Sequence, residues 1–394
     1  MTPLASDYLI PFNKPYLSGR EFDYMNQAVQ LGKLSGNGEF TKRCQNFFSQ
    51  RYRFRKCLLT SSCTDALEMA AILLDIQPGD EVILPSFTFV STANAFVSRG
   101  AKPVFVDSKP DHPNMDASQI EALITAKTKA IVVMHYGGVP SELEAILSLA
   151  QEYGLYVVED AAQSIDAYYQ DKPLGAFGHL ACFSFHETKN IHSGEGGMLV
   201  INDPQFVQRA EVIWEKGTDR RAFSRGEVQK YSWVDVGSSF LPSELTAAFL
   251  YAQLENLDVI QSQRGAIGTA YERLFQSGKS DLFSSFYDQL LVQAWEISCS
   301  NLPIQTQTLA GNHHLFYLLF PSEQSRSTFI STLKEHGVLA VFHYQSLHRS
   351  PFIHKNFPDQ AALARPNADR FSNCLLRLPF FFELPEFSHR VRES

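Results

Sequence analysis

Short apolar runs alternate with helical patterns over the first half of this chain of 394 residues. Each run has the length of a strand and few polar residues, as expected of strands that are buried on both faces. The runs occupy residues 81–84, 103–106, 130–134, 155–158, 180–185 and 198–201. Helical spacing of apolar residues is found at 64–74, 93–99, 120–125 and 141–153. The alternation predicts an α/β fold, with a mostly parallel central sheet and helices on both of its faces.

The last third of the chain has a different pattern. A long helical stretch at residues 244–257 leads out of the predicted sheet, and after it come two apolar strands, at 314–320 and 339–343, and one helix at 322–336. We therefore expect two domains: a large α/β domain over residues 10–255 and a smaller C-terminal α+β domain over residues 256–394.

The composition and charge of the chain argue against several classes of function. The chain is 44% hydrophobic and 19% charged, its net charge is −8, and it has no basic block, so nucleic acid is not an expected partner. No apolar run is long enough to span a membrane, and residues 1–7 lack the pattern of a signal peptide, so we expect a cytoplasmic protein. The six cysteines show neither a C-x-x-C pair nor zinc-ligand spacing, so we expect reduced thiols and no metal.

Lys189 is the first candidate for chemistry. It follows the apolar run at 180–185 and precedes Gly194, Gly196 and Gly197, after which the next apolar run begins. Glycines let the backbone approach a ligand closely. A lysine between two buried strands can be desolvated, which lowers its pKa and makes it a candidate Schiff-base amine. A solvated surface lysine is the alternative.

Asp160 strengthens this interpretation. It follows the apolar run at 155–158, and ligands of open α/β sheets bind at the carboxyl ends of the strands. Taken alone, Asp160 would more often be a helix cap. Together with a lysine one strand later, it forms the pair that pyridoxal 5′-phosphate requires, because the acid keeps the pyridine nitrogen protonated and the lysine holds the aldehyde.

Small side chains indicate where the phosphate of such a cofactor would bind. Ser62, Cys63 and Thr64 lie where the helix at 64–74 opens, and free N–H groups and the helix dipole attract anions there. Ser184 can add another donor. The alternatives are plain capping of the helix by Ser62 or Thr64 and a local hydrogen bond of Ser184.

Two further side chains suit the ring of the cofactor. Phe89 follows the strand at 81–84, and an aromatic ring at a strand's carboxyl end can stack on a pyridine ring. Gln163 can donate a hydrogen bond to the cofactor's phenolate oxygen. The alternatives are a core phenylalanine, in a chain that has 31 of them, and a glutamine bonded to the backbone.

Five segments together resemble the fold-type-I pyridoxal-phosphate sugar aminotransferases of the DegT/DnrJ/StrS family. They are SCTDAL at 62–67, PSFTF at 85–89, EDAAQ at 159–163, SFHETK at 184–189 and GEGG at 194–197. The resemblance implies the family's fold, pyridoxal 5′-phosphate as cofactor, and a homodimer with shared active sites. The roles that it carries over are those of a catalytic Schiff-base lysine for Lys189, the pyridine-nitrogen acid for Asp160, the ring contact for Phe89, the phenolate contact for Gln163, and phosphate ligands for Thr64 and Ser184.

Four further segments are most similar to members that act on a dTDP-linked sugar. They are VSTANAF at 90–96, FSFHETKN at 183–190, GSSFL at 237–241 and VFHY at 341–344. The similarity implies conversion of dTDP-4-oxo-6-deoxy-D-glucose to dTDP-4-amino-4,6-dideoxy-D-galactose with glutamate as donor, as in the route to enterobacterial common antigen. The alternatives are a 3-oxo sugar, a UDP or GDP carrier, and a non-catalytic protein that binds the cofactor or a nucleotide sugar. Lys189 argues against the family's dehydratase branch, which has histidine there.

Two positions depart from the family's pattern. Cys63 stands where most members have glycine. Ser239 stands where many have asparagine, at the place from which a partner subunit contacts the phosphate. Because a serine can still donate a hydrogen bond, Ser239 stays a candidate cofactor contact, and so does Cys63 beside Thr64.

The densest basic stretch of the chain runs from Lys216 to Lys230. A nucleotide-linked sugar carries a diphosphate, and charge-assisted donors such as arginine forks suit it. Arg220, Arg225 and Lys230 are therefore candidate diphosphate contacts, including contacts made across a dimer interface. A solvated loop is the alternative.

Overall fold

A seven-stranded sheet is the centre of the larger part of the protein, in a computed structural model that describes residues 8–299, 305–306 and 311–390. The first nine strands are β1 (Lys56–Thr60), β2 (Glu81–Pro85), β3 (Lys102–Val106), β4 (Thr128–Met134), β5 (Tyr156–Asp160), β6 (Tyr168–Tyr169), β7 (Lys172–Pro173), β8 (Leu180–Ser184) and β9 (Gly197–Ile201). The sheet has the order β1-β9-β8-β5-β4-β2-β3, and β6 and β7 pair separately. Neighbours are parallel except that β9 runs antiparallel to β1 and β8, which confirms the mostly parallel sheet.

Helices lie on both faces of this sheet, as predicted. The helices are α1 (Glu21–Gln30), α2 (Glu39–Tyr52), α3 (Cys63–Leu73), α4 (Val90–Val97), α5 (Leu143–Tyr153), α6 (Val207–Trp214), α7 (Arg220–Ser224), α8 (Glu244–Glu255), α9 (Leu257–Ser277), α10 (Ser285–Cys299), α11 (Glu323–Glu335), α12 (Pro351–Asn356), α13 (Pro358–Ala362), α14 (Pro366–Cys374) and α15 (Leu384–Ser388). Side chains of a strand alternate between faces. Accordingly Val82 and Val132 pack with α3, α4 and α6, whereas Ile83 and Ile131 pack with α5 on the other face.

A second, antiparallel sheet forms the smaller part of the protein. Its strands are β10 (Gln305–Thr306), β11 (Tyr317–Leu319), β12 (Val341–Phe342) and β13 (Leu375–Arg377), in the order β10-β11-β13-β12. One face, with Leu318 and Leu376, packs against α9, α10 and α11. The other face, with Leu319 and Leu375, packs with Phe87 of the larger part. The two sheets therefore face each other across a shared apolar contact.

Two expectations differ from the observed elements. Residues 120–125 do not form an α-helix: the structure has two short 3₁₀ turns here, Ala117–Gln119 and Glu121–Leu123. Fewer than two turns of apolar spacing do not sustain an α-helix. The C-terminal part contains α9, α10 and α12 to α15 besides the single helix that was predicted there. Gly265 and Gly268 weaken the helical preference of α9, and packing of residues such as Ile267 overrides it.

The division of the chain into domains after residue 255 stays a prediction. Only Asn256 separates α8 from α9. Ile10, assigned to the large domain, forms a parallel bridge with Val338 and packs in the core of the smaller part.

Three observations bear on the expectations from composition. All six cysteines are free thiols. Within the described ranges, no helix combines the length and apolar character that a membrane span requires. Residues 1–7, on which the expectation about a signal peptide rests, lie outside the described residues.

Candidate active site

A cavity of about 930 Å³ opens at the carboxyl edge of the large sheet. Met134, Asp160 and Ser184, the last residues of β4, β5 and β8, line it. Phe342 of β12 and Arg377 of β13 line it from the small sheet. The cavity thus lies where the two sheets face each other, at the edge where parallel α/β sheets bind ligands.

The loop after β8 brings Lys189 into this cavity. The loop folds back on itself, because the Phe185 amide donates to the Gly196 carbonyl and the Glu187 amide to the Gly194 carbonyl, both at 2.8 Å. Among the described residues, the Lys189 amine has no hydrogen-bond or ion-pair partner. Burial lowers the pKa of Lys189, and the negative charge of Asp160 opposes this shift only in part. Such an amine is available as a nucleophile nearer neutral pH than a solvated lysine.

Asp160 is held by two donors at the floor of the cavity. It is buried, and its Oδ2 accepts from Thr92 Oγ1 at 2.6 Å while its Oδ1 accepts from the Ala162 amide at 3.2 Å. Thr92 Oγ1 lies 2.8 Å from Thr88 Oγ1. Burial raises the pKa of Asp160, and the Thr92 hydrogen bond and Lys189 oppose that rise. No helix begins directly after β5, so Asp160 is not a helix cap.

The start of α3 offers backbone donors to the same cavity. Ser62 caps the helix, since its Oγ accepts from the Asp65 amide at 3.0 Å. The amides of Cys63 and Thr64 are the first of the helix and have no acceptor within it. A Cβ at Gly197 would collide with the backbone of Ser62 and Cys63, so glycine lets β9 lie against this turn. Capping of α3 by Ser62 therefore does not exclude the predicted anion site, because the cap leaves these two amides free.

Two candidates for ring contacts lie on the cavity wall. Phe89 is 55% exposed, so it is not a core residue, and its ring lies 6.0 Å from that of Tyr344. Gln163 Oε1 accepts from the Gly137 amide at 2.6 Å, and Gln163 Nε2 donates to Tyr344 Oη at 2.9 Å. These contacts fix the orientation of the amide and leave one N–H of Nε2 for a ligand.

Of the remaining predicted residues, the structure brings only one to the cavity. Ser184 lines it, and its Oγ accepts a long hydrogen bond of 3.4 Å from the His186 amide. The side chains that are exposed and do not line the cavity are Ser239, Arg220, Arg225 and Lys230. Arg225 is paired with Glu211 at 2.7 Å and with Glu227 at 2.6 Å.

Several residues at the cavity carried no role in the sequence-based prediction. Thr92 supports Asp160, and His314, His343, Tyr344 and Arg377 line the wall. Burial lowers the pKa of His314 and of His343 well below the usual value, so both rings are neutral near pH 7. The one signal in the sequence was Arg377 itself, a charged residue between two leucines of an apolar strand.

The fold and the cavity together define a class of protein. A lysine with a lowered pKa and a buried strand-end carboxylate share the carboxyl edge of a mostly parallel sheet, as in aminotransferases of fold type I. The chain belongs to the DegT/DnrJ/EryC1/StrS aminotransferase family, whose model matches residues 15–391. The family predicted from the sequence is thereby confirmed.

Individual relatives match nearly the whole chain. The spore coat polysaccharide biosynthesis protein SpsC of Bacillus subtilis (strain 168) is 31% identical over 382 residues, which are 95% of this chain and 93% of SpsC. Helicobacter pylori PseC, an aminotransferase involved in the biosynthesis of pseudoaminic acid, superposes with a TM-score of 0.80 at 21% identity, over 97% of each chain. DesV of S. venezuelae superposes with a TM-score of 0.77 at 28% identity, over 94% of this chain and 93% of DesV.

The residues at the cavity fit the cofactor of this family. Aminotransferases of the family depend on pyridoxal 5′-phosphate, so the cofactor expected from the sequence is confirmed. Three groups at the cavity suit the three parts of that molecule: an amine that no described residue pairs with suits the aldehyde, a buried carboxylate suits the pyridine nitrogen, and the free amides at the start of α3 suit the phosphate.

Proposed function

We propose that this protein transfers an amino group from glutamate to dTDP-4-oxo-6-deoxy-D-glucose and forms dTDP-4-amino-4,6-dideoxy-D-galactose. The observation that carries the transaminase chemistry is the presence of Lys189 and Asp160 in one cavity. A sugar acceptor is supported by the relative SpsC, a protein of polysaccharide biosynthesis. The dTDP-linked 4-oxo sugar rests on the segments at 90–96, 183–190, 237–241 and 341–344.

In this proposal, each of the predicted cofactor-binding residues contacts a particular part of the cofactor. Lys189 holds the cofactor's aldehyde carbon, and Asp160 pairs with its ring nitrogen. Phe89 contacts the ring, and Gln163 donates to the phenolate oxygen. The phosphate is bound by Cys63, Thr64 and Ser184, and by Ser239 of a second copy of the chain, since Ser239 lies outside the cavity of its own chain.

The chain's own residues then handle binding and proton transfer. The bound cofactor supplies an electron sink for the carbanion that forms when the donor's Cα loses its proton. Lys189 Nζ takes that proton in the glutamate half-reaction and delivers a proton to C4 of the sugar in the second half-reaction. The lowered pKa of Lys189 suits this task, because burial favours the neutral amine, which is the form that can accept a proton.

Residues of the cavity mouth and the basic stretch complete the proposed substrate site. Phe342 and Phe352 line the cavity and are 53% and 52% exposed, so they offer aromatic surface to a nucleotide base. Arg220 and Lys230 are exposed, whereas Arg225 is already paired with two carboxylates. We propose that this stretch contacts the diphosphate across the interface of a homodimer.

The decisive test is the product. Purified protein with bound cofactor is incubated with glutamate and dTDP-4-oxo-6-deoxy-D-glucose; mass spectrometry detects amination and NMR places the nitrogen and its configuration at C4. The same assay with UDP- and GDP-linked 4-oxo sugars and with the 3-oxo isomer tests the alternative acceptors. Preferred amination of one of these would replace the proposed acceptor. Loss of amination with every sugar, in protein that also lacks the visible band of lysine-bound cofactor, would indicate a non-catalytic binding protein.

A further inference from the structure

The first turn of α4 lies along one wall of the cavity. Val90 and Ser91, its first two residues, line the cavity, and so does Phe89, which precedes them. Thr92, the next residue, is buried and donates to Asp160 at 2.6 Å. This short stretch therefore supports the acid that suits the pyridine nitrogen, and it presents an aromatic ring to the cavity. Ser91 takes no part in these contacts.

Within the described part of the chain, the Ser91 hydroxyl has a single hydrogen-bond partner, and this partner belongs to the other helix that begins at the cavity. Ser91 Oγ lies 2.8 Å from Thr64 Oγ1, a normal distance for a hydrogen bond between two hydroxyls. Thr64 is in the first turn of α3, at the free amides that form the candidate phosphate site. Thr64 Oγ1 has no other partner among the described residues, so the pair has one hydrogen available for a ligand.

The direction of this hydrogen bond follows from what a phosphate requires. The oxygens of a bound phosphate ester accept hydrogen bonds, and a hydroxyl has one hydrogen to donate. If Thr64 gives its hydrogen to the phosphate, it has none left for Ser91, so Ser91 must be the donor of the bond between them. Hydrogen bonds in a chain polarise one another, so donation by Ser91 makes Thr64 a stronger donor to the anion.

We propose that Ser91 is a positioning residue for the cofactor's phosphate: its hydroxyl donates to Thr64 Oγ1 and directs the Thr64 hydrogen toward the phosphate. The inference rests on the phosphate site proposed above. Two adjacent residues of α4 then support the two ends of the cofactor, Ser91 through Thr64 and Thr92 through Asp160. Because one helical turn makes both contacts, α4 holds Thr64 and Asp160 in a fixed relation to each other.

The test measures the binding of two ligands that differ only in the phosphate. Pyridoxamine 5′-phosphate forms no Schiff base with Lys189, so its Kd for the full chain freed of cofactor reports noncovalent contacts, and pyridoxamine is the same molecule without the phosphate. In Ser91→Ala we expect the Kd for pyridoxamine 5′-phosphate, measured by titration calorimetry, to rise roughly 3- to 10-fold, as for loss of one hydrogen bond. The Kd for pyridoxamine should stay within about twofold of the wild-type value, since it has no phosphate for Thr64 to contact.

Two further variants serve as controls. Ser91→Thr keeps the hydroxyl and should bind both ligands as the wild type does. Ser98→Ala removes a hydroxyl at the opposite end of α4, outside the cavity, where Ser98 Oγ donates to the Ala95 carbonyl at 2.9 Å. This variant should also bind both ligands as the wild type does.

A double-mutant cycle shows whether Ser91 acts through Thr64. We expect Thr64→Val to raise the Kd for pyridoxamine 5′-phosphate roughly 10- to 100-fold, because it removes a charge-assisted donor. In the Thr64→Val background, Ser91→Ala should add less than about twofold. Additive effects of the two substitutions would overturn the proposal, and so would a larger loss in Ser91→Ala than in Thr64→Val, which would make Ser91 the direct contact.

The remaining outcomes separate this inference from the proposed function. An equal loss of affinity for both ligands in Ser91→Ala would show that the serine only ties α3 to α4, and the inference would be wrong. An unchanged Kd in Thr64→Val would overturn the proposed phosphate contact of Thr64 and the role of Ser91 together. A protein that shows the expected Kd values but aminates no sugar would contradict the proposed acceptor alone and would support the role of Ser91.

Discussion

The cavity and the segment at residues 216–239 both contain residues that the sequence marked for ligand binding, yet the chain supports them in different ways. In the cavity, the chain provides partners for two of the predicted site residues: Thr92 donates to Asp160, and Tyr344 accepts from Gln163. In the segment, large apolar side chains are exposed, and Trp233 is 81% exposed. The other exposed apolar residues there are Phe223, Tyr231, Val234 and Val236.

The comparison distinguishes residues that one chain positions by itself from residues whose proposed role needs a second chain. The proposed catalytic acid, Asp160, is positioned by contacts within the chain, so its substitution should affect the chemical step. The segment has exposed apolar surface and cations that do not line the cavity, so its proposed role involves a second copy of the chain. Substitutions there should affect substrate binding and leave the chemistry of the first half-reaction intact.

Of the substitutions that test this difference, Lys189→Ala should have the largest effect on activity. We expect the variant to fold and to lose turnover by a factor of roughly 10⁴ or more, because both the covalent attachment and the proton-transferring amine are removed. Lys127→Ala, at an exposed lysine outside the cavity, should retain activity. Borohydride reduction and peptide mapping identify the attached lysine directly. A reduced adduct on another lysine would show that the assignment of Lys189 is wrong.

Asp160→Asn should have the next largest effect on activity. The amide keeps the shape of the side chain and can still accept from Thr92, but it carries no charge to hold the ring nitrogen protonated. We expect kcat to fall roughly 10²- to 10³-fold while the cofactor stays bound. Glu195→Gln, at an exposed carboxylate of the same cavity, is the control. A near wild-type kcat in folded Asp160→Asn that contains cofactor would leave Asp160 without a catalytic role.

Thr92→Val tests whether the hydrogen bond from Thr92 to Asp160 contributes to activity. Its Oγ1 donates to Asp160 at 2.6 Å, and this hydrogen bond holds down the pKa of the carboxyl. Without it the pKa of Asp160 rises further, so a higher pH is needed to ionise the acid. We expect kcat to fall about 10-fold, with the acidic limb of the pH–rate profile moved to higher pH. Thr92→Ser keeps the hydroxyl, so its pH–rate profile should match that of the wild type. If the profile of Thr92→Ser shifts as much as that of Thr92→Val, packing rather than the hydrogen bond is responsible.

The smallest effects are expected in the basic segment. Arg220→Ala and Lys230→Ala should each raise KM for the sugar nucleotide by roughly 3- to 10-fold and leave the glutamate half-reaction unchanged. Arg225→Ala should leave KM unchanged, because that guanidinium is already paired with Glu211 and Glu227. An unchanged KM in all three variants would show that the segment is a solvated loop and that the diphosphate binds elsewhere.

Much of the fold could be predicted because its signals are local. Strands β2 to β5 are continuous apolar runs, and the helices between them mostly carry apolar residues at helical spacing. The elements that were missed, α9 and α10 above all, pack on a sheet whose strands are two or three residues long. Such short strands leave little pattern, and the helices on them are stabilised mainly by tertiary contacts.

Residue identities and their order along the chain were enough to predict aminotransferase chemistry. A lysine after one buried strand and an acid at the end of another identify a pair of groups, because parallel strands bring their carboxyl ends to one edge. The sequence by itself also determined the family, through motifs such as those around Asp160 and Lys189. These conclusions depend on residue identity and order along the chain, which are local information.

Only the tertiary structure shows which residues far apart in the chain lie together at the cavity. Arg377 lies 188 residues after Lys189 in the sequence, and no spacing rule connects them, yet the small sheet places both at one cavity. The partners that hold Asp160 and Gln163, Thr92 and Tyr344, come from a helix and a loop that are far from them in the chain. Burial also sets the lowered pKa of Lys189 and the raised pKa of Asp160, because desolvation depends on everything packed around a group and not on its neighbours in sequence.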